Sequence, residues 1–200
     1  MEQKDFEIIK LDATFQTAFE NMDYDKGLLD ALKPSSRIER FYIWQNPGIT
    51  YSYKQKCPEN LTYIDHSDRL TGGGIVFHTP GDIVFSLVGW NNDPDYGQSM
   101  KGKLCVLSKR ITSALKKSGI NIDNQVSEVA KDLNFCSTYP TPFEIAVNNQ
   151  KIVGLTIRQF KLKWLIQGII HTKPTHSIFI NSNNAPLTIQ ITEQALLNCL

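Results

Sequence analysis

A chain of 200 residues is one large domain or two small ones, long enough to bury about 70% of the surface its unfolded form exposes without a disulfide or metal staple. Its 21 Lys and Arg against 20 Asp and Glu, a formal charge of +1, exclude a broad electrostatic footprint for nucleic acid or an anionic membrane. The polar start, Met1 to Phe6, lacks the apolar core of a secretory signal, and no stretch approaches the roughly 20 apolar residues of a spanning helix, so a cytoplasmic protein is expected.

Taken in chain order, residues 6–11 predict a short strand. Between Ala13 and Leu32, the residues Phe15, Phe19, Met22, Leu28, Leu29 and Leu32 keep a mostly helical spacing, and Pro34 stands just past the end. Phe41 to Trp44 and Ile49 to Tyr53 are rich in strand formers and flank the turn signal Asn46-Pro47-Gly48, which predicts a hairpin. Two more strands are expected at 75–77 and 83–88, the first entered through Gly72, Gly73 and Gly74. From Gly97 to Ser118, Leu104, Leu107, Ile111 and Leu115 form one helical stripe, with Gly119 as the stop. Residues 143–147 and 152–157 flank Asn148-Asn149, a tight-turn pair, and predict a second hairpin. A strand at 177–180 and a helix at 192–197 close the chain. Hairpins separated from helical runs imply an α+β fold with a mostly antiparallel, mixed sheet flanked by helices.

The chemistry concentrates in Arg69, Thr71, Gly72, Gly73, Gly74, His78, Gly81 and Asp82. Three consecutive glycines free a run of backbone N–H groups to approach one anion, and Arg69 can offer a planar, charged fork to a carboxylate or phosphate. A flexible turn between strands is the plain alternative. The segment is not a P-loop, because no Lys-Ser or Lys-Thr follows at the required spacing. Nor is it a dinucleotide fingerprint, since a strand follows the glycines. Cys57, Cys105, Cys136 and Cys199 form no C-x-x-C pair, so neither structural zinc nor a disulfide framework is expected.

Three blocks in order resemble the catalytic domain of the lipoate–protein ligase, octanoyltransferase and biotin ligase superfamily. Phe41 to Pro47 with Ile49 and Gln55 is similar to its opening signature. Arg69, Thr71, Gly72 to Gly74, Val76, His78, Gly81 and Asp82 resemble its glycine-rich acyl-binding loop. Phe143 to Gly154, with Lys151, resembles the later "v-x-g-x-K-i-x-G" block. The resemblance implies a single catalytic domain over residues 1–200, with no accessory C-terminal domain, that attaches a lipoyl or octanoyl chain to a lysine of a lipoyl carrier domain. The carriers implied are the lipoyl domains of 2-oxoacid dehydrogenase complexes or a glycine-cleavage H-type protein.

By the same resemblance, Arg69, Thr71, Gly72, Gly73, Gly74, His78 and Gly154 hold the acyl carboxylate or adenylate. Lys151 stabilises charge developing at the carbonyl; otherwise it is a solvated lysine beyond an exposed turn. His78 has a site role or is a satisfied core histidine. Cys136 sits where one octanoyltransferase branch carries a nucleophile in "C-F-x-x-P-x-x-Y-E"; otherwise it is a buried structural thiol. Departures fall at Leu155, Ile157 and Gln167, where the family has "G-S-A" and "H-G". The first reading is an ATP- and Mg²⁺-dependent lipoate–protein ligase without a bound metal of its own. An ATP-independent transferase through Cys136, biotin ligation and a non-catalytic acyl- or lipoyl-domain-binding relative are the alternatives.

Overall fold

The computed structural model describes residues 6–123, 143–148, 150–173 and 200. Cys136, Cys199, the strand expected at 177–180 and the helix expected at 192–197 lie outside the described residues. Elements follow in the order β1 (Glu7–Leu11), α1 (Ala18–Ala31), β2 (Ser36–Ile43), β3 (Gly48–Ser52), β4 (Asp65–Arg69), β5 (Val76–His78), β6 (Ile83–Trp90), α2 (Met100–Lys117), β7 (Ile145–Val147), β8 (Gln150–Gln159) and β9 (Lys163–Ile170). Six strands form one sheet in the order β1-β2-β6-β9-β8-β7, and three form a smaller sheet, β4-β3-β5. Pairing is antiparallel except at β1–β2 and β3–β4, which makes the fold α+β with mixed sheets.

The large sheet is covered on both faces, which explains why β6 reads as an almost continuous apolar run. Ile83, Phe85 and Leu87 pack with Leu107, Ile111 and Leu115 of α2. Between them, Val84 packs toward Met22 of α1, and Val88 toward Leu28. Helix α1 begins on a capping box, with Thr17 Oγ1 accepting from the Glu20 amide at 3.2 Å and Glu20 Oε2 accepting from Thr17 N at 3.0 Å. Helix α2 begins on Ser99, whose Oγ accepts from Gly102 N at 2.9 Å, and Gly119 supplies the left-handed φ of +82° just past its end.

One expected pairing is corrected. β2 and β3 are not a hairpin but belong to different sheets, as do β5 and β6. The reason is visible at the corner: Trp44 N donates to Asp82 O and Gly81 N to Trp44 O, both at 2.8 Å, so β2 is continued by the start of β6. β3 is thereby left to pair with β4 and β5. Phe19, counted in the apolar stripe of α1, is 63% exposed; the buried face is Ala18, Asn21, Met22, Asp25 and Leu28. The hairpin at Asn148 forms as expected, with Val147 opposite Gln150 and φ +51° at Asn148. Strands β4, all polar, and β9 were not anticipated.

Candidate functional site

A cleft opens where the small sheet and α1 meet the large sheet. Its walls come from Met22, Thr50, Arg69, Val76, His78, Val84, the β8 segment 154–156 and the β9 segment 167–169. Beneath it, Gly168 is fixed by packing on the opposite, α2-facing side of the sheet, where its cross-strand partner Phe85 lies. A Cβ at Gly168 would lie 2.3 Å from the Phe85 ring and 2.7 Å from the backbone oxygen of Gly154, so only glycine fits there. Of the residues singled out in the sequence, Arg69, His78 and Gly154 line this cleft.

Arg69 is buried and acts first on its own loop. Its Nη2 donates to the carbonyl oxygens of Gly72 and Gly74, each at 2.7 Å, and Nη1 donates to Thr50 O at 3.0 Å. The intervening Gly73 has φ +92°, a conformation open to glycine. Thr156 Oγ1 reaches Gly72 O at 3.2 Å from the other side. Because trans peptides point C=O and N–H in opposite directions, a clamp on the carbonyls of Gly72 and Gly74 turns the N–H groups of Gly73 and Ile75 away from Arg69.

His78 stacks on Trp44 with ring centroids 4.0 Å apart, and its Nε2 lies 2.9 Å from Thr50 Oγ1. Burial, aided by the nearby His171 and Arg69, holds its pKa well below the ordinary histidine value, so the ring is neutral.

The most extensive polar feature at the cleft was not anticipated from the sequence. Gln167 accepts from Thr71 Oγ1 at 2.8 Å and donates through Nε2 to Asp25 Oδ2 at 2.8 Å. Asp25 also pairs with Arg40 at 2.6 Å and accepts from Ser86 Oγ. Arg40 in turn donates to Asn21 Oδ1 at 2.6 Å and lies 3.7 Å over the Tyr42 ring. Burial raises the Asp25 carboxyl pKa above the usual range against the pull of Arg40. Two signals were available in the sequence. Asp25 follows Asn21 and Met22 at helical spacing, and Arg40 alternates with Ile38 and Tyr42, placing a charge on an otherwise apolar strand face.

Lys151 is the second residue of β8, opposite Ala146 of β7. Its side chain is only 8% exposed and its ammonium pairs with Glu144, so it is not the solvated lysine that the turn suggests. The register shifts here: Ile145 faces Val153 while Ala146 faces Lys151, leaving Ile152 as an extra residue. Ile152 and Val153 both enter the core against α2. This bulge resets the alternation and places Lys151 on the strand face shared by Gly154 and Thr156.

A profile of the lipoyl protein ligase A/B catalytic domain matches residues 17–191. The chain belongs to this family. Among curated proteins it is similar to octanoyltransferase LipM of Carboxydothermus hydrogenoformans, with 27% identity over 145 residues, 68% of this chain and 54% of that protein. It is 24% identical to LipM of Clostridioides difficile over 147 residues, 67% of this chain and 54% of that protein. The chain thus spans about half the length of the curated relatives it matches. In fold it resembles a lipoate-protein ligase A solved with ATP bound, with a TM-score of 0.71, 17% identity, and 98% of this chain and 82% of that one covered. A lipoate protein ligase of T. acidophilum gives a TM-score of 0.71 at 18% identity, covering 96% of this chain and 81% of that one.

Within the lipoyl ligase family, the departures at Leu155, Ile157 and Gln167 now separate. Leu155 and Ile157 pack into the core against α2. Thr156, between them, contacts the glycine loop, and Arg158 donates to Leu70 O at 2.9 Å from the same face. Gln167 is the departure that lines the cleft and bonds within it.

Proposed function

We propose that this protein transfers an octanoyl or lipoyl group to a lysine of a lipoyl carrier domain, either from a 2-oxoacid dehydrogenase complex or of the glycine-cleavage H type. The observation that carries the reading is the cleft itself. Apolar walls from Met22, Val76, Val84 and Ile169 suit a medium-length acyl chain, and a clamped glycine loop stands beside Arg69 and Thr156. Lys151, on the cleft-side face of β8, is assigned to stabilise the oxyanion that forms as the acyl carbonyl is attacked.

The LipM relatives favour a transferase route. The Cys136 thiolate attacks the donor's acyl carbonyl and expels the donor's leaving group. The amine of the carrier lysine then attacks the resulting thioester, forming the amide and releasing the thiolate. ATP-dependent ligation through an acyl-adenylate is the alternative. In that route Mg²⁺ would accompany the nucleotide's phosphates.

Intact-mass analysis of a lipoyl domain incubated with the protein tests both routes. Octanoyl-carrier protein without nucleotide is expected to acylate the domain, and Cys136→Ser is expected to abolish the acyl-enzyme seen when the domain is omitted. Acylation only with lipoate, ATP and Mg²⁺, retained in Cys136→Ser, establishes the ligase route instead. No acylation under either condition refutes the proposal.

A further inference from the structure

Consecutive glycines carry more backbone freedom than any other residues, so the loop at 72–74 has to be ordered by contacts from outside itself. Arg69 and Thr156 hold its carbonyls directly. The residue that leads into it, Thr71, has no exposed surface and donates its hydroxyl hydrogen to Gln167 Oε1 at 2.8 Å. That acceptor is imposed from the far side of the amide. Gln167 Nε2 lies 2.8 Å from Asp25 Oδ2, and a carboxylate paired with Arg40 at 2.6 Å only accepts hydrogen bonds. The nitrogen must therefore face Asp25, and the oxygen is what remains for Thr71. Helix α1, strand β2, strand β9 and the glycine loop are tied by one chain of directed bonds.

We propose that Gln167 is a positioning residue: acting through Thr71, and oriented by Asp25 and Arg40, it holds the glycine loop in place beside the cleft. The functional meaning of this tether rests on the reading of the cleft as an acyl site, whereas the tether itself does not. An ordered loop binds its ligand without the cost of ordering it at that moment, so the tether raises donor affinity.

Hydrogen exchange of the unliganded protein, read by mass spectrometry on peptides spanning the loop, tests this without any activity. Thr71→Val and Gln167→Ala are each expected to speed exchange at 72–75 about fivefold, the effect of one net hydrogen bond. The double variant is expected to exceed neither single. Thr71→Ser, which keeps the hydroxyl, is expected to exchange like the wild type and guards against a packing defect at this site. Unchanged loop exchange in Thr71→Val, or singles whose effects multiply in the double variant, would overturn the proposal. Calorimetry with octanoate and lipoate then reads the consequence: Thr71→Val, which does not line the cleft, is expected to weaken binding about fivefold. Wild type that binds neither acid counts against the acyl reading, while the exchange data still decide the tether.

Discussion

Strand β2 carries two buried arginines three positions apart, and they face opposite sides of one sheet. Arg40 looks toward α1, where Asp25 links it to Gln167 at the cleft wall. Arg37 looks the other way. It donates from Nη1 to both oxygens of Asp93 at 2.9 Å and from Nε to Glu39 at 2.7 Å, and it sits 4.7 Å over the Tyr96 ring. Glu39 also accepts from Arg110 of α2 at 2.9 Å. Burial pushes the Glu39 carboxyl up, but Arg110 and Arg37 outweigh it and hold the pKa below the ordinary value. Arg37 itself is held above its usual range, because Asp93 and Glu39 overcome the penalty of burial. Both clusters are buried, charged and hydrogen-bonded. What separates them is continuity: one chain of bonds ends at a cavity wall, and the other ends in the loop before α2 and in α2 itself. Buried charge alone does not mark a site.

The largest expected effects break these clusters outright. Arg37→Met leaves Asp93, and Arg40→Met leaves Asp25, buried without its cation, at a cost of about 3–5 kcal/mol in urea denaturation. The loss is expected to be greater for Arg37, which serves Glu39, Asp93 and, at 3.0 Å, Asp95. Only Arg40→Met is expected to speed hydrogen exchange in the glycine loop. Equal loop exchange in the two variants would erase the distinction between the clusters.

Next come three glycines. Gly168→Ala forces a Cβ against the Phe85 ring and the Gly154 backbone, and is expected to cost about 1–3 kcal/mol by thermal melting, because the backbone oxygen cannot step aside. Gly27→Ala in α1, where a Cβ meets nothing within 4 Å, is expected to gain up to about 1 kcal/mol. Gly73→Val combines a φ of +92° with a Cβ 3.2 Å from Arg69 Nη2; about 1–2 kcal/mol of strain and weaker octanoate binding are expected.

The smallest effect is a pH dependence that His78 brings to the cleft side. His78 has a folded-state pKa lowered well below 6.5, so below that value the unfolded chain binds a proton that the folded chain refuses. Stability is therefore full above about pH 6.5 and falls as pH drops toward the folded value, by at most about 1.4 kcal/mol per pH unit. His78→Gln is expected to flatten that part of the melting-temperature profile, and an unchanged slope would assign it to other groups.

Much of this molecule was legible from local pattern. The α2 stripe, the Asn148 turn and the three ordered blocks depend on neighbours within a few positions, where helical and strand periodicities operate. The same logic misled at Phe19, because the buried face of α1 is partly polar: Asn21 and Asp25 are held inside by Arg40. Helical spacing identifies a stripe only when hydrophobicity decides what is buried. β4 escaped because Asp65, His66, Ser67, Asp68 and Arg69 show no alternation at all. Lys151 was singled out by its block, but its near-complete burial and its pairing with Glu144 follow from a bulge that periodicity cannot see.

By itself the sequence determined which segments become strands and helices through most of the described chain, and that residues 69–78 and 143–154 resemble blocks of the family to which the chain belongs. Tertiary structure alone decided which strands pair, because a strand's flanks are filled by whichever partners reach them. β2 took β1 and β6, so the turn at Asn46 joins two sheets and not two arms of a hairpin. It also decided how the cleft is wired. Thr71 and Gln167 are 96 positions apart, and Gln167 and Asp25 are 142 apart. A polar side chain shows in its own sequence that it needs a partner, but which partner it finds depends on how the whole chain is packed.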